Sequence, residues 1–578
     1  MIRSLVDREL DYLWSRLAWA ARGRGEQIGA LWSRDGDPRV SRLVQSAAYA
    51  FARVKEKLED ELPEISHPLV AAALPEVLRP TPSATVVQVQ DARRARKVPT
   101  MFEPQLLESR RIDGAPCLFG TCWPVLASPL DLHSEIRTDG AGDMTLRLRL
   151  ARYSHPSLRS SLPSVLRVFI KSEGGRSLDV VRAVAHTKKP VQIRMLDGGG
   201  HSIAEREAPS LAPLPTALGP VTFLPGARDR FPSSSALRAF FAFPELFAFF
   251  DLDLEALRNV IPENAAALEL GVQLDGRLDD AAASATCHLN CAPAVNVFET
   301  RTVPVPIRAL GPCGALRVSG HPGREIFAIH RAQLAFDGLP DSLAAVRLWE
   351  SHRGTAYLDD ELHLRLERRA PNGTGALEMR GILGRSHGLT AIPFGELRCD
   401  VLATDGIRPD ALLEGEVGTW SDSLQATNIS RVSPSRRAAL DQWLPWRLSA
   451  YARMPIPQLA QAGSLAAFLD VHDVTGKRRR PENGGNSGRA GVLFATHSMV
   501  KRVSGDEVLL GDQVDFALDD AVFGGVGATW LIGELLARAM AERCDLLRYT
   551  RARLVSPRGD LRFDYGIREG ERLPAPFG

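Results

Sequence analysis

Apolar side chains open the chain at Val6, Leu10, Leu13 and Leu17, spacings of four, three and four that gather them on one side of a helix, with Trp14 beside them. Asp37-Pro38 then supplies an N-cap and a first-turn proline, and Val40, Leu43, Ala47, Phe51, Val54 and Leu58 predict a second, longer helix. A third is expected between Pro68 and Pro80, set apart by Pro63. From Pro80 the period falls to two: Ser83–Gln90, Met144–Leu150, Val165–Ile170, Leu268–Leu274 and Leu362–Leu366 alternate apolar and polar residues as half-buried antiparallel strands do. Near the end, Val514, Phe516 and Leu518 alternate with Asp515 and Asp519. Gly524-Gly-Val-Gly527 follows, then a helical pattern through Ala528, Leu531, Leu535 and Ala539.

The expected fold class is a multidomain α+β chain: an N-terminal helical segment, antiparallel β-rich domains and a C-terminal mixed αβ module. Pro- and Gly-rich runs place the boundaries: residues 1–80 helical and able to bundle with another chain, 81–300 β-rich, 301–433 a second β-rich domain, and 434–578 the αβ module. The last includes a basic Gly-rich loop, 477–489, expected to be mobile. The stretch 237–251 carries six phenylalanines around Pro244-Glu245. Rings at that density require burial, in the core or in an interface, and Pro244 breaks any helix running through them.

Length and charge change the picture only by exclusion. At 578 residues, one hydrophobic core is not enough. Lys plus Arg (71) nearly cancels Asp plus Glu (69), so no global field favours nucleic acid. The runs Arg93–Lys97 and Lys477–Arg489 lack the interleaved aromatics that stack bases, and read as solvated loops. Asp7, Glu9 and Asp11 stand where a secretory leader needs a basic start and an apolar core, and no stretch is long enough to insert in a membrane, so a cytoplasmic protein is expected.

Seven cysteines without a Cys-x-x-Cys pair suggest buried thiols, with neither disulfide framework nor metal site. Gly524–Gly527 fits neither nucleotide-binding fingerprint: Trp530 stands where a small residue is needed and no Lys-Ser/Thr follows. His497-Ser498 and His472-Asp473 are only sequence neighbours. No catalytic, cofactor or metal residue is nominated.

Several segments together resemble one family, the TssF wedge subunits of the type VI secretion baseplate. They are Asp7–Leu13, Asp37-Pro38 with Val40 and Leu43, Lys57–Glu64, Leu78–Ser83, Phe240–Asp251, Leu289–Glu299 and Val514–Arg538, all in the family's order. The resemblance implies a structural, non-enzymatic role. The implied partners are a TssG-like subunit, a second copy of the chain, a TssK-like adaptor, a TssE-like subunit and a VgrG spike hub, and no cofactor is implied. It also implies a place on the cytoplasmic side of the inner membrane of a Gram-negative bacterium. The alternatives in other classes are a baseplate part of a phage tail or extracellular injection particle, and a cytoplasmic enzyme with dispersed residues. Candidate partner-interface residues are Val6, Leu10, Leu13, Trp14, Leu17, Leu43, Phe51, Phe243 and Phe247.

Overall fold

The computed structural model describes residues 2–21, 37–54, 78–90, 99–152, 157–208, 211–216, 232–307, 314–336, 339–348, 362–369, 378–385, 395–420, 425–437, 454–476, 491–504 and 507–571. The third expected helix up to residue 77 and the loop 477–489 lie outside them, as does the run Arg93–Lys97. The first helix is Ile2–Ala21. A second covers 38–54, started by Asp37, whose carboxylate accepts from Arg39 N–H at 2.8 Å.

The alternating segments form strands, antiparallel as expected except that Leu362–Arg369 also pairs in parallel with Leu339–Leu348. Ala84–Gln90 belongs to a closed six-stranded barrel, running in order through Cys291–Val295, Ala115–Thr121, Leu106–Ile112, Val417–Trp420 and Gln425–Asn428. Closure leaves no sheet edge. The barrel's strands come from both sides of the boundary expected near residue 300. Met144–Arg152 and Ala267–Gln273 pair side by side in a five-stranded sheet, with Leu146, Leu148 and Leu150 facing the core and Arg147 and Arg149 facing out. Val165–Lys171 pairs with Phe249–Asp253 in a four-stranded sheet. Residues 298–404 supply the largest sheet, which has its own apolar cluster around Leu334, Leu364 and Leu397.

The Phe-rich stretch folds as its proline dictates. Helix Pro232–Ala242 ends before Pro244, a 3-10 turn covers Pro244–Phe247, and Phe249–Asp253 continues as strand. Phe249 lies edge-on to Trp123 at 5.2 Å and tilted against Phe169 at 4.8 Å. Phe243, Phe247, Phe249 and Phe250 are buried in the main core, which runs from Ala84 to Leu554. The rings are core of this chain, so Phe243 and Phe247 offer no free surface to a partner.

In the last module, Glu507–Leu518 and Arg548–Val555 pair in parallel, joined through helix Val526–Ala541. Fourteen of that helix's sixteen residues are buried. A helix so largely apolar, whose buried Glu534 is met by Arg538 and Arg568, must be enclosed. It packs on helices Ser177–Ala185 and Pro232–Ala242 as well as on its own sheet.

Glu245 sits in the 3-10 turn with no cation against it among the described residues, and burial pushes its carboxyl above the usual glutamate value of 4.5. The folded chain therefore holds this proton more tightly than the unfolded one. Stability is greatest below about 4.5 and falls as pH rises through the folded value. Glu245→Gln should raise the melting temperature at neutral pH and leave it unchanged at low pH, as read by thermal unfolding across pH. Phe247→Ala should cost about 3–5 kcal/mol in urea unfolding.

Candidate partner interface

The N-terminal helices divide their apolar residues unequally. On Ile2–Ala21, Trp14 is buried and Val6, Leu10, Leu13 and Leu17 are half-buried, while Tyr12 is exposed beneath the Arg16 guanidinium at 5.9 Å. On the second helix the buried stripe is Val44, Ala48 and Ala52, one position on from the expected one. Small side chains let a neighbour approach closely, and a shift of one residue turns the face by about 100°. Leu43 (73% exposed), Phe51 (55%) and Val54 are thereby left as an outward ridge. Such a row of large apolar residues is a surface awaiting cover.

The sites where chemistry was conceivable are filled by the protein itself. His472 is buried, its Nδ1–H donating to the Phe468 carbonyl at 2.7 Å, and burial lowers its pKa to about 3. His497 Nε2 meets Asp512 Oδ1 at 2.7 Å, and Arg548 holds the other carboxylate oxygen at 3.0 Å. Ser498, the next residue along the strand, points to the opposite face and is exposed, so no triad is assembled. Burial pushes the Cys122 and Cys287 thiols up to about 12, well away from the thiolate a metal would bind. Among the described residues no group of three His, Cys, Asp or Glu side chains is gathered for a metal, and no helix is long and apolar enough to cross a membrane. A shallow cleft of about 420 Å³ on the five-stranded sheet is lined by Arg147, Arg194, Glu205 and Glu269 among others. These charges pair with one another, Arg194 with Glu205 at 2.7 Å and with Glu269 at 3.6 Å.

The Gly-rich turn is a joint. Gly525 adopts φ 130°, and the Gly527 N–H, at the start of Val526–Ala541, donates to Asp179 Oδ1 at 2.6 Å. The carboxylate of another helix thus occupies the anion site that a helix N-terminus provides. A β-carbon on Gly527 would lie 2.2 Å from the Leu178 carbonyl, which is why glycine stands there. The tie is reciprocated, because Glu542, just past the helix's C-terminal end, accepts from Ser233 N–H at 2.8 Å and from its hydroxyl, holding the start of Pro232–Ala242.

A second joint links the barrel to the large sheet. Asp405, fully buried, accepts from Arg408 Nη1 (2.9 Å), Arg324 Nε (3.3 Å), Asn296 Nδ2 (3.0 Å) and Leu118 N–H (2.8 Å). Asn296 Oδ1 accepts from Asp405 N–H at 2.7 Å, and Arg408 donates on to the Ile112 and Ala115 carbonyls. Every partner of the charge is thus supplied within the fold. Neither joint has a local sequence signature beyond its glycines, Gly527 and Gly406, the latter at φ 61°.

A family model described as "Type VI secretion system, TssF" matches residues 7–572. The type VI secretion system component TssF1 of Pseudomonas aeruginosa is 28% identical over 290 residues, covering 46% of this chain and 46% of that protein. The chain therefore spans less than half the length of this curated relative in the match. Two solved chains share the fold. One, from the TssK-TssF-TssG baseplate subcomplex of the type VI secretion system seen by cryo-electron microscopy, matches at TM-score 0.72 and 20% identity, over 92% of this chain and all of that one. The other, from the baseplate complex of the type VI secretion system, matches at 0.55 and 16%, over 99% of this chain and all of that one.

Gly527→Ala should cost about 1–3 kcal/mol or more, because the methyl group meets backbone. Gly463→Ala, in helix Ala462–His472 with open space around it, should be neutral or slightly stabilising. Asp405→Ala should cost about 3–5 kcal/mol, since it leaves two arginines without their buried charge partner. Urea unfolding of the three variants measures all of these.

Proposed function

The chain belongs to the TssF family of the type VI secretion system, and from that premise we propose that it is a non-enzymatic structural subunit of the secretion baseplate. The observation that carries this reading is the family match along nearly the whole chain, from residue 7 to residue 572. It assembles with a TssG-like subunit and a TssK-like adaptor, as the subcomplex containing its structural neighbour is named. A second copy of the chain, a TssE-like subunit and the VgrG spike hub complete its surroundings, on the cytoplasmic side of the inner membrane. Two copies pair with one TssG-like chain, so the same surface meets two different neighbours.

Residues 1–80 act as the inter-chain bundle; behind it, 81–300 and 301–433 share the closed barrel, and 434–578 forms the C-terminal module. What supports this use of the N-terminal segment is its supply of uncovered apolar surface: Leu43 and Phe51 face outward, and Val6, Leu10, Leu13 and Leu17 are only half-buried. Stable assemblies bury upward of about 2,000 Å², which helices with such faces can contribute. Trp14 is already buried within the chain and anchors the helix.

Co-expression with the TssG-like neighbour, followed by light scattering of the purified complex, tests the proposal; the expected species holds two copies of this chain and one partner. Leu43→Asp with Phe51→Asp, or Leu10→Asp with Leu13→Asp, should weaken co-purification by at least about tenfold. The melting temperature of the β-rich part should not change. Intact complexes carrying these substitutions would remove the N-terminal segment from the interface, and a monomer indifferent to the neighbour would overturn the assembly role.

A further inference from the structure

The hairpin formed by Val492–Ser504 and Glu507–Leu518 is longer than the sheet it belongs to. Its second strand pairs with Arg548–Val555 only from Leu510 to Phe516, so the tip projects beyond that neighbour. Among the described residues the first strand is the sheet's edge, with a single hydrogen-bonded neighbour, and helix Ala462–His472 packs against it. Cross-strand register places His497 opposite Val514, Met499 opposite Asp512, Lys501 opposite Leu510 and Val503 opposite Val508, all on one face. At the base this face is core: Val514 is wholly buried and Asp512 nearly so. Towards the tip the same face emerges uncovered, with Met499 64% exposed, Val503 72% and Val508 60%. Leu546 and Leu547, just ahead of Arg548–Val555 in sequence, are exposed as well.

An uncovered apolar face along an unpaired strand edge is what proteins ordinarily avoid. The charges indicate what fits it. Lys501 and Arg502, one on each face of the edge strand, meet no carboxylate among the described residues. Edge-to-edge pairing of two copies would bring these cations together, and like charges across a strand pair are unfavourable.

We propose that the tip half of the Val492–Ser504 edge accepts, by strand addition, an extended segment of a different protein in which apolar residues alternate with acidic ones. The apolar residues lie over Met499 and Val503, the acids fall on the other face beside Arg502, Lys501 adds to the positive field along the edge, and backbone hydrogen bonds supply the register. The proposal is independent of the N-terminal bundle, because it concerns the opposite end of the chain and a different mode of recognition.

The test uses the full chain and two fluorescein-labelled peptides of about ten residues, a length matched to the edge, one alternating valine with glutamate and one alternating valine with lysine. Fluorescence polarisation should show the acidic peptide binding at least about tenfold more tightly, with the preference weakening as salt rises. Lys501→Glu with Arg502→Glu should reverse the preference. Met499→Ser with Val503→Ser should abolish binding without changing the melting temperature, since these side chains make no core contact. Hydrogen exchange should slow at residues 499–503 when the acidic peptide binds. Absence of binding, equal binding of both peptides, or binding indifferent to the four substitutions would overturn the proposal. So would dimerisation of the chain that depends on Val503, or recruitment of the tip to anionic vesicles in place of peptide.

Discussion

A helix that is buried on nearly every side has no stable place except inside other structure, and Val526–Ala541 sets that requirement for the whole molecule. Its own four-stranded sheet can cover only one flank. The remaining faces are met by helices Ser177–Ala185 and Pro232–Ala242, and the Phe-rich stretch that follows the latter fills the core beyond. Two carboxylates fix the geometry, Asp179 at the start of the buried helix and Glu542 just past its far end, each satisfying backbone donors that would otherwise be stranded away from water. The C-terminal module is thus secured by burial and aligned by hydrogen bonds.

Asp405 performs the corresponding task for the large sheet. A charge taken fully out of water is costly unless every acceptor position is used, and here four donors from four separate parts of the chain use them. The consequence is specificity of docking: the barrel and the sheet fit together only in the arrangement that completes the network. For the structural role proposed above, rigid joints between its sheets are the physical requirement, with apolar faces left over for partners.

Much of this was legible in the sequence because it is periodic. The seam from Val6 to Leu17, the alternation from Met144 to Leu150, and the strand, glycine turn and helix near the C-terminus all declared themselves through spacings of three to four or two. Pro244 ended a helix where its missing N–H required it. On the second helix, periodicity alone could not choose between neighbouring stripes: the large residues Leu43 and Phe51 mark one, yet the small residues Ala48 and Ala52 are the ones enclosed. The joints were invisible because their members are far apart, 348 residues between Asp179 and Gly527 and 109 between Asn296 and Asp405. An aspartate destined for a helix terminus looks, in sequence, like any other aspartate.

The closed barrel has a consequence for how the protein is made. Val86 belongs to its first strand, and its N–H donates to the hydroxyl of Ser430, 344 residues later. At a synthesis rate of about 5–20 residues per second, roughly 20–70 s pass between the appearance of the two. Until Cys291–Val295 has been made, the opening strand lacks both of its barrel neighbours, and from then until Gln425–Asn428 follows it lacks one. Newborn chains therefore carry an open barrel for roughly 20–70 s, and it can close only once synthesis has passed Ser430.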